Sequence, residues 1–177
     1  IMANYDLNAP KKATNVSVNS DLLRQAKELG FASRLGHNAT GSTAYAATLG
    51  FRRGVPELAI TSNLQGMGLN FPPPMVKPAD AVLALRYENS LVRESMAVGR
   101  KLQDAVSLEL GQIATILYTR DVSGPQPKVL RGAIGVGLEP GDTTLPTEDA
   151  VVANINFAQV DLDAWQKALS RAAGASL

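Results

Sequence analysis

The residues of this 177-residue chain that could do chemistry are few and far apart. His37 is the single histidine and sits in Gly36-His37-Asn38-Ala39-Thr40-Gly41-Ser42-Thr43, whose two glycines have the spacing of a phosphate-binding loop. Such a loop needs a lysine after its second glycine, because that ammonium meets the terminal phosphates, and Ser42 stands in its place. The segment therefore reads as a polar surface loop, and His37, Ser42 and Thr43 form at most a weak ligand set. One histidine and no cysteine leave no metal-ligand spacing, and no nucleophile has a base beside it in sequence. No catalytic residue, metal or cofactor is assigned. Gly132-Ala133-Ile134-Gly135-Val136-Gly137-Leu138 has the wrong glycine order for a dinucleotide turn and reads as a strand that admits close backbone approach. The carboxylates between Glu139 and Asp163 lack the Asp-x-Asp-x-Asp-Gly order of a calcium loop.

Composition narrows the classes. The apolar fraction is 45% with only 5% aromatic residues, so the core expected is aliphatic. No apolar run reaches the roughly 18–20 residues of a membrane helix, and no basic flank leads into an apolar stretch, so neither membrane nor secretory signal is expected. Met2 reads as the native start. The absence of cysteine fits a cytoplasmic protein and a virion component equally well. The net charge of +1 conceals an asymmetry. Between Leu7 and Pro56 stand Lys11, Lys12, Arg24, Lys27, Arg34, Arg52 and Arg53 against Asp21 and Glu28. Between Glu139 and Asp163 stand Glu139, Asp142, Glu148, Asp149, Asp161 and Asp163 with no lysine or arginine. The two ends can be a polyanion-binding face, two faces that pair in an assembly, or plain solvated surface.

The elements that must position these residues follow from periodicity. Ala13 to Val18 alternates as a short strand, followed by a helix from Asp21 to Leu29 that Gly30 ends. Tyr45 to Leu49, Glu57 to Ser62, Lys128 to Leu138 and Val151 to Val160 read as strands. Three prolines at Pro72-Pro73-Pro74 and another at Pro78 make 71–78 a stiff connector. From Asp80 to Leu117, Val98, Leu102, Val106, Leu110, Ile113 and Leu117 recur every three to four residues, which predicts a long central helix. Gly99 and Gly111 are plausible breaks in it, and Ile113 to Thr119 is β-branched enough to be a strand instead. A final helix capped by Asp161 presents Leu162, Trp165 and Leu169 on one face. The expected fold is α+β. A strand–helix arm over 1–30 precedes a single domain over 31–177, one mixed sheet packed with a long central helix and a C-terminal helix.

The opening stretch, Ala9-Pro10-Lys11-Lys12-Ala13-Thr14-Asn15-Val16-Ser17-Val18 through Asn19-Ser20-Asp21-Leu22-Leu23-Arg24-Gln25-Ala26-Lys27-Glu28-Leu29, resembles the N-terminus of the CcdA family of type II antitoxins. That resemblance implies a ribbon-helix-helix module in which the strand pairs with its twin across a dimer and enters the DNA major groove. A downstream tail of the family binds the toxin. Lys11 and Lys12 would then lie near phosphates, with Asn15 and Ser17 facing base edges. The family's second helix has no counterpart in Phe31 to Gly41, so the resemblance covers about one-eighth of the chain. Thr48-Leu49-Gly50-Phe51-Arg52-Arg53-Gly54-Val55-Pro56-Glu57-Leu58 is more weakly similar to a strand–turn–strand in the family called domain of unknown function 4262, which implies no chemistry.

Three functions stand side by side. The first is a non-enzymatic interaction or regulatory protein, a homo-oligomer whose N-terminal ribbon contacts duplex DNA and which binds a partner protein. The second is a structural subunit of a phage or secretion assembly. The third is a small enzyme using the 36–43 loop.

Overall fold

The structure, a computed structural model, describes residues 12–19, 38–139 and 141–173, with side chains described over 38–139 and 141–168. Its elements are β1 (Lys12–Asn19), β2 (Ala39–Arg52), β3 (Val55–Ser62), β4 (Met67–Asn70) and β5 (Val76–Lys77). They continue with β6 (Leu85–Leu91), a 3₁₀ turn at Arg93–Met96, β7 (Gln103–Leu110), β8 (Ala114–Asp121), β9 (Lys128–Val136), β10 (Val151–Ile155) and α1 (Leu162–Ala173). The strands make one ten-stranded sheet, ordered β10-β9-β8-β7-β6-β3-β2-β4-β5, with β1 on β2. Every pairing is antiparallel except β10 with β9, which is parallel.

The long central helix is not formed. Residues 80–117 hold β6, the 3₁₀ turn, β7 and the start of β8. The reason lies in a degeneracy of the pattern. Leu102, Val106 and Leu110 are four apart, and four satisfies both a helical turn and two strand repeats. Leu108 decides between them, because with Asp104, Val106 and Leu110 it completes a period of two that a helix would scatter around its axis. Leu85, Tyr87, Asn89 and Leu91 repeat the alternation in β6. Gly111, at φ 53°, then turns the chain between β7 and β8, and its N–H donates to Ala84 O at 2.7 Å. The mixed α+β arrangement with a central helix is thereby corrected to one large sheet with a short helix at its end. That helix is α1, where Asp161 Oδ1 accepts from Ala164 N at 2.9 Å as an N-cap.

Two further expectations change. The loop over Gly36 to Thr43 is strand from Ala39 onward, since Ala39, Thr40 and Gly41 pair with Leu69, Gly68 and Met67. The proline-rich stretch is built into the core instead of spanning as a connector. It carries β5, and Phe71 beside it is buried with Ala39, Leu64, Met67, Leu69 and Leu110. Trp165 of α1 stacks on Phe71 at 6.1 Å and donates from Nε1 to Pro73 O at 3.1 Å, which seats the helix on this cluster. Burying a ring such as Phe71 stabilises by about 2 kcal/mol. The strand expectations at 13–18, 45–49, 57–62, 128–138 and 151–160 correspond to β1, β2, β3, β9 and β10, while the helix expected at Asp21 to Leu29 lies outside the described residues.

The junction between the main sheet and the small β4–β5 extension depends on two glycines. Gly41 (φ 87°) and Gly66 (φ 93°) face one another so closely that a Cβ on either would come within 2.3 Å of backbone oxygen, Gly66 O or Ser42 O respectively. Ser42 N donates to Gly66 O at 3.2 Å across the same gap. A side chain at Gly66 meets both a forbidden φ and immovable backbone. Gly66→Ala is expected to lower unfolding free energy by about 2 kcal/mol or more, read as a lower urea midpoint at unchanged slope.

Candidate functional site

Most of the buried polar side chains that the fold gathers are locked into structure, the Nδ2 of buried Asn38 being the exception among the described residues. Asp104, 1% exposed, sits directly across from Arg120 in the β7–β8 ladder and accepts from its Nε at 2.9 Å and its Nη2 at 2.5 Å. This fork-to-fork pairing uses both carboxylate oxygens, and the hydrogen bond holds the guanidinium's pKa above its ordinary value. Tyr87 shares that face, and burial pushes its phenol above 10, with Arg120 acting the other way. Buried Glu57 accepts from Arg52 Nε and from Leu91 N, each at 3.1 Å. Asn89 replaces a missing rung of the β3–β6 ladder: its Oδ1 accepts from Leu58 N and its Nδ2 donates to Pro56 O, both at 2.9 Å. Ser95 Oγ donates to Val92 O at 2.6 Å and accepts from Gln103 N at 3.0 Å, closing the long β6–β7 connection. Lys77 is buried, with Nζ donating to Met67 O at 2.6 Å and Pro78 O at 2.9 Å. Burial pushes its amine below 10.5, partly offset by Asp80. Sequence reading missed all of these groups, because cross-strand neighbours have no fixed spacing along the chain.

The residues singled out from sequence fall partly outside the described structure and partly on β1 and β2. His37 and Lys11 lie outside the described residues. Ser42 is exposed in β2, whereas Thr43 is buried there with its hydroxyl 3.3 Å from Ser62 Oγ. The phosphate-loop spacing thus runs into a strand, where a phosphate site requires a helix N-terminus. Lys12, Asn15 and Ser17 stand in β1 opposite Leu49, Ala46 and Ala44. Since β2 is also paired to β3, this strand belongs to a wide sheet, and the major groove admits a two-stranded ribbon. Among the described residues no three His, Cys, Asp or Glu cluster as metal ligands. Among the described residues, one depression of about 330 Å³ is walled by Val92, Glu94, Ser95, Arg100, Lys101 and Gln103, and another of about 310 Å³ includes Glu109, Gln112, Thr115 and Thr143 in its wall.

What remains is the sheet itself. Following the register across six pairings, Ala47, Ile60, Tyr87, Leu108, Ile116, Ile134 and Ala153 form one unbroken apolar row. Beside it run Leu49, Leu58, Asn89, Val106, Tyr118, Gly132 and Val151. The opposite face carries Thr48, Ala59, Glu88 and Ser107, then Thr61, Arg86, Glu109 and Thr115. Such a sheet normally buries its apolar face under a second layer. Here Ile60, Tyr87, Leu108, Ile116 and Ile134 are only half-buried, and Leu49 and Phe51 are 50% and 52% exposed.

The rim beside this face is also open. β10 pairs on one side with β9, and among the described residues nothing pairs with its other side. All five of its residues are exposed, Ile155 to 63%, and none is charged. Natural edge strands usually carry a lysine, a proline or a bulge that discourages pairing, and Val151-Val152-Ala153-Asn154-Ile155 has none of these. Among the described residues no helix is long and apolar enough to cross a membrane. In comparisons with known proteins, no family model, no curated protein and no solved structure matches the chain.

Two outcomes test this account of the polar groups. Arg120→Met strands a fully buried carboxylate and is expected to cost about 3 kcal/mol in urea unfolding, most of it recovered in the Asp104→Leu/Arg120→Met double variant. For Lys77 the folded pKa lies below the unfolded 10.5, so between the two values the unfolded chain holds more protons. Relative to Lys77→Met, the native chain therefore gains stability as pH rises through that window and loses it as pH falls, measurable by urea midpoints taken from pH 7 to 10.5.

Proposed function

We propose that this chain is a non-enzymatic interaction protein that works as a structural subunit, joining other chains through its sheet. The observation that carries the reading is β10, an edge strand among the described residues, with every residue exposed and no charge to deter pairing. An edge of this kind is a template for strand addition, one of the ways a sheet recruits a partner. The half-buried apolar rows beside it, with Leu49 and Phe51 half-exposed on the same face, support the reading, because contiguous apolar surface left open marks contact surfaces. The engagement of Asp104, Arg120, Glu57, Ser95 and Lys77 in structural bonds supports a role without catalysis. The opposite charge of the two chain ends suits repeated contacts between copies. The cysteine-free composition is compatible with work in the cytoplasm or in a particle built there.

Sedimentation velocity and light scattering over a dilution series test the reading. Association that rises with concentration is expected. A monodisperse monomer at the highest concentration overturns it. So does salt-sensitive binding to duplex DNA that Lys12→Ala or Asn15→Ala weakens, an outcome that favours the antitoxin-like regulatory reading.

A further inference from the structure

We propose that the strand that completes the open edge of β10 is β1 of a second copy of this chain, added in parallel, so that successive sheets join head to tail. This inference rests on the subunit reading and names its partner and register. The argument begins with direction. β1 is antiparallel to β2, β2 to β3, β3 to β6, and the alternation continues to β9, to which β10 is parallel. Strands β1 and β10 therefore run the same way at opposite rims of one sheet. A second copy slid sideways, with its apolar face on the same side, lays its β1 parallel to β10 without any rotation.

Among the described residues, no strand pairs with the outer side of either rim, so the hydrogen-bonding groups there are available. Ala150 O accepts from Gly132 N, and Asn156 N donates to Val136 O, so the even-numbered residues of this stretch turn toward β9. By the alternation of a strand, Val151, Ala153 and Ile155 point their N–H and C=O outward. On the other rim, Ser42 N and Ala44 O face the β3–β4 side of β2. The odd residues of β2 then bond to β1, which leaves the backbone groups of Asn15 and Ser17 on the outer edge. Parallel pairing of Ala153 with Val16 uses these two residues as its partners.

Charge and face select this register. Lys11 and Lys12 stand at the start of β1 in sequence, and Glu148 and Asp149 stand just before β10. Placing Lys12 beside Asp149 sets the start of β1 against this acidic pair. It sets Val16 against Ala153 and Val18 against Ile155, all at register positions on the apolar side. Ser17 and Asn154 then share the polar side. Two β10 strands paired about a two-fold axis would instead bring together two copies of the 139–163 segment, which holds six acids and no base. Opposite charges favour the heterologous contact and like charges oppose the isologous one. A head-to-tail contact leaves each new copy with a free β10, so growth ends only in a closed ring or continues as a filament.

The absence of native cysteine makes a directed cross-link clean. Ser17→Cys and Asn154→Cys single variants of the full chain are oxidised separately and as a mixture, with circular dichroism confirming that each is folded. A disulfide-linked heterodimer in the mixture alone is expected, since adjacent strands place Cα atoms within disulfide reach. Ala153→Pro removes an outward N–H without touching the β9 ladder, and association is expected to fall at least about ten-fold. Lys12→Glu and Asp149→Lys are each expected to weaken association by about three-fold, with the double variant restoring it. If the chain associates but Asn154→Cys links to itself, or Ala153→Pro has no effect, the head-to-tail edge falls while the subunit reading stands. If the chain does not associate at all, both fall.

Discussion

The bidentate pairing of Asp104 with Arg120 holds β7 and β8 in the single register on which the rest of the sheet depends. In a strand every second residue faces the same way, so a slip of one position would exchange the faces of a whole strand. Ile116 would leave the row it shares with Leu108 and Ile134, and a buried carboxylate would lose its only cation among the described residues. Apolar contacts alone would tolerate such a slip poorly but would not forbid it, because both faces of β8 carry aliphatic side chains, Ile116 on one and Leu117 on the other. A directional pair at one rung converts a preference into a requirement. Asn89 and Glu57 act similarly at the β3–β6 rungs, where side-chain atoms satisfy the amides of Leu58 and Leu91.

The strands with clean alternation were legible from the residue pattern, and the register between them was not. Val151 to Ile155, Lys128 to Val136 and Glu57 to Ser62 announce themselves by β-branched residues and flanking turn chemistry. The stretch from Asp80 to Leu117 misleads because its apolar residues at intervals of four fit both periods, and only Leu108 and Tyr87 break the tie. The Gly36 to Thr43 segment misleads for another reason: small polar residues imitate a loop, yet the glycine at 41 is present so that two backbones can meet. The candidate surface was half visible. The charge asymmetry could be read directly, but that β1 and β10 lie at opposite rims running the same way is a property of topology, to which no local pattern refers.

The chemistry of the molecule is correspondingly one of surfaces. The buried ionisable groups Asp104, Glu57 and Lys77 are matched to partners on neighbouring strands. Its apolar residues, in contrast, are arranged in rows wider than its own described helix covers.

The order of the strands has a consequence for how the chain reaches this state. From β6 to β9 each strand pairs with the one that follows it in sequence, through connections of three to about eleven residues. Contacts so local close small loops, which lowers the entropy lost before pairing begins and lets hairpins zip successively. The Trp165 anchor of α1 on Phe71 spans a far longer separation and so belongs to the late phase of folding. In a chain made from its N-terminus, β10 is completed only after the sheet it borders. Among the described strands, the unpartnered rim at β10 is the last to be made.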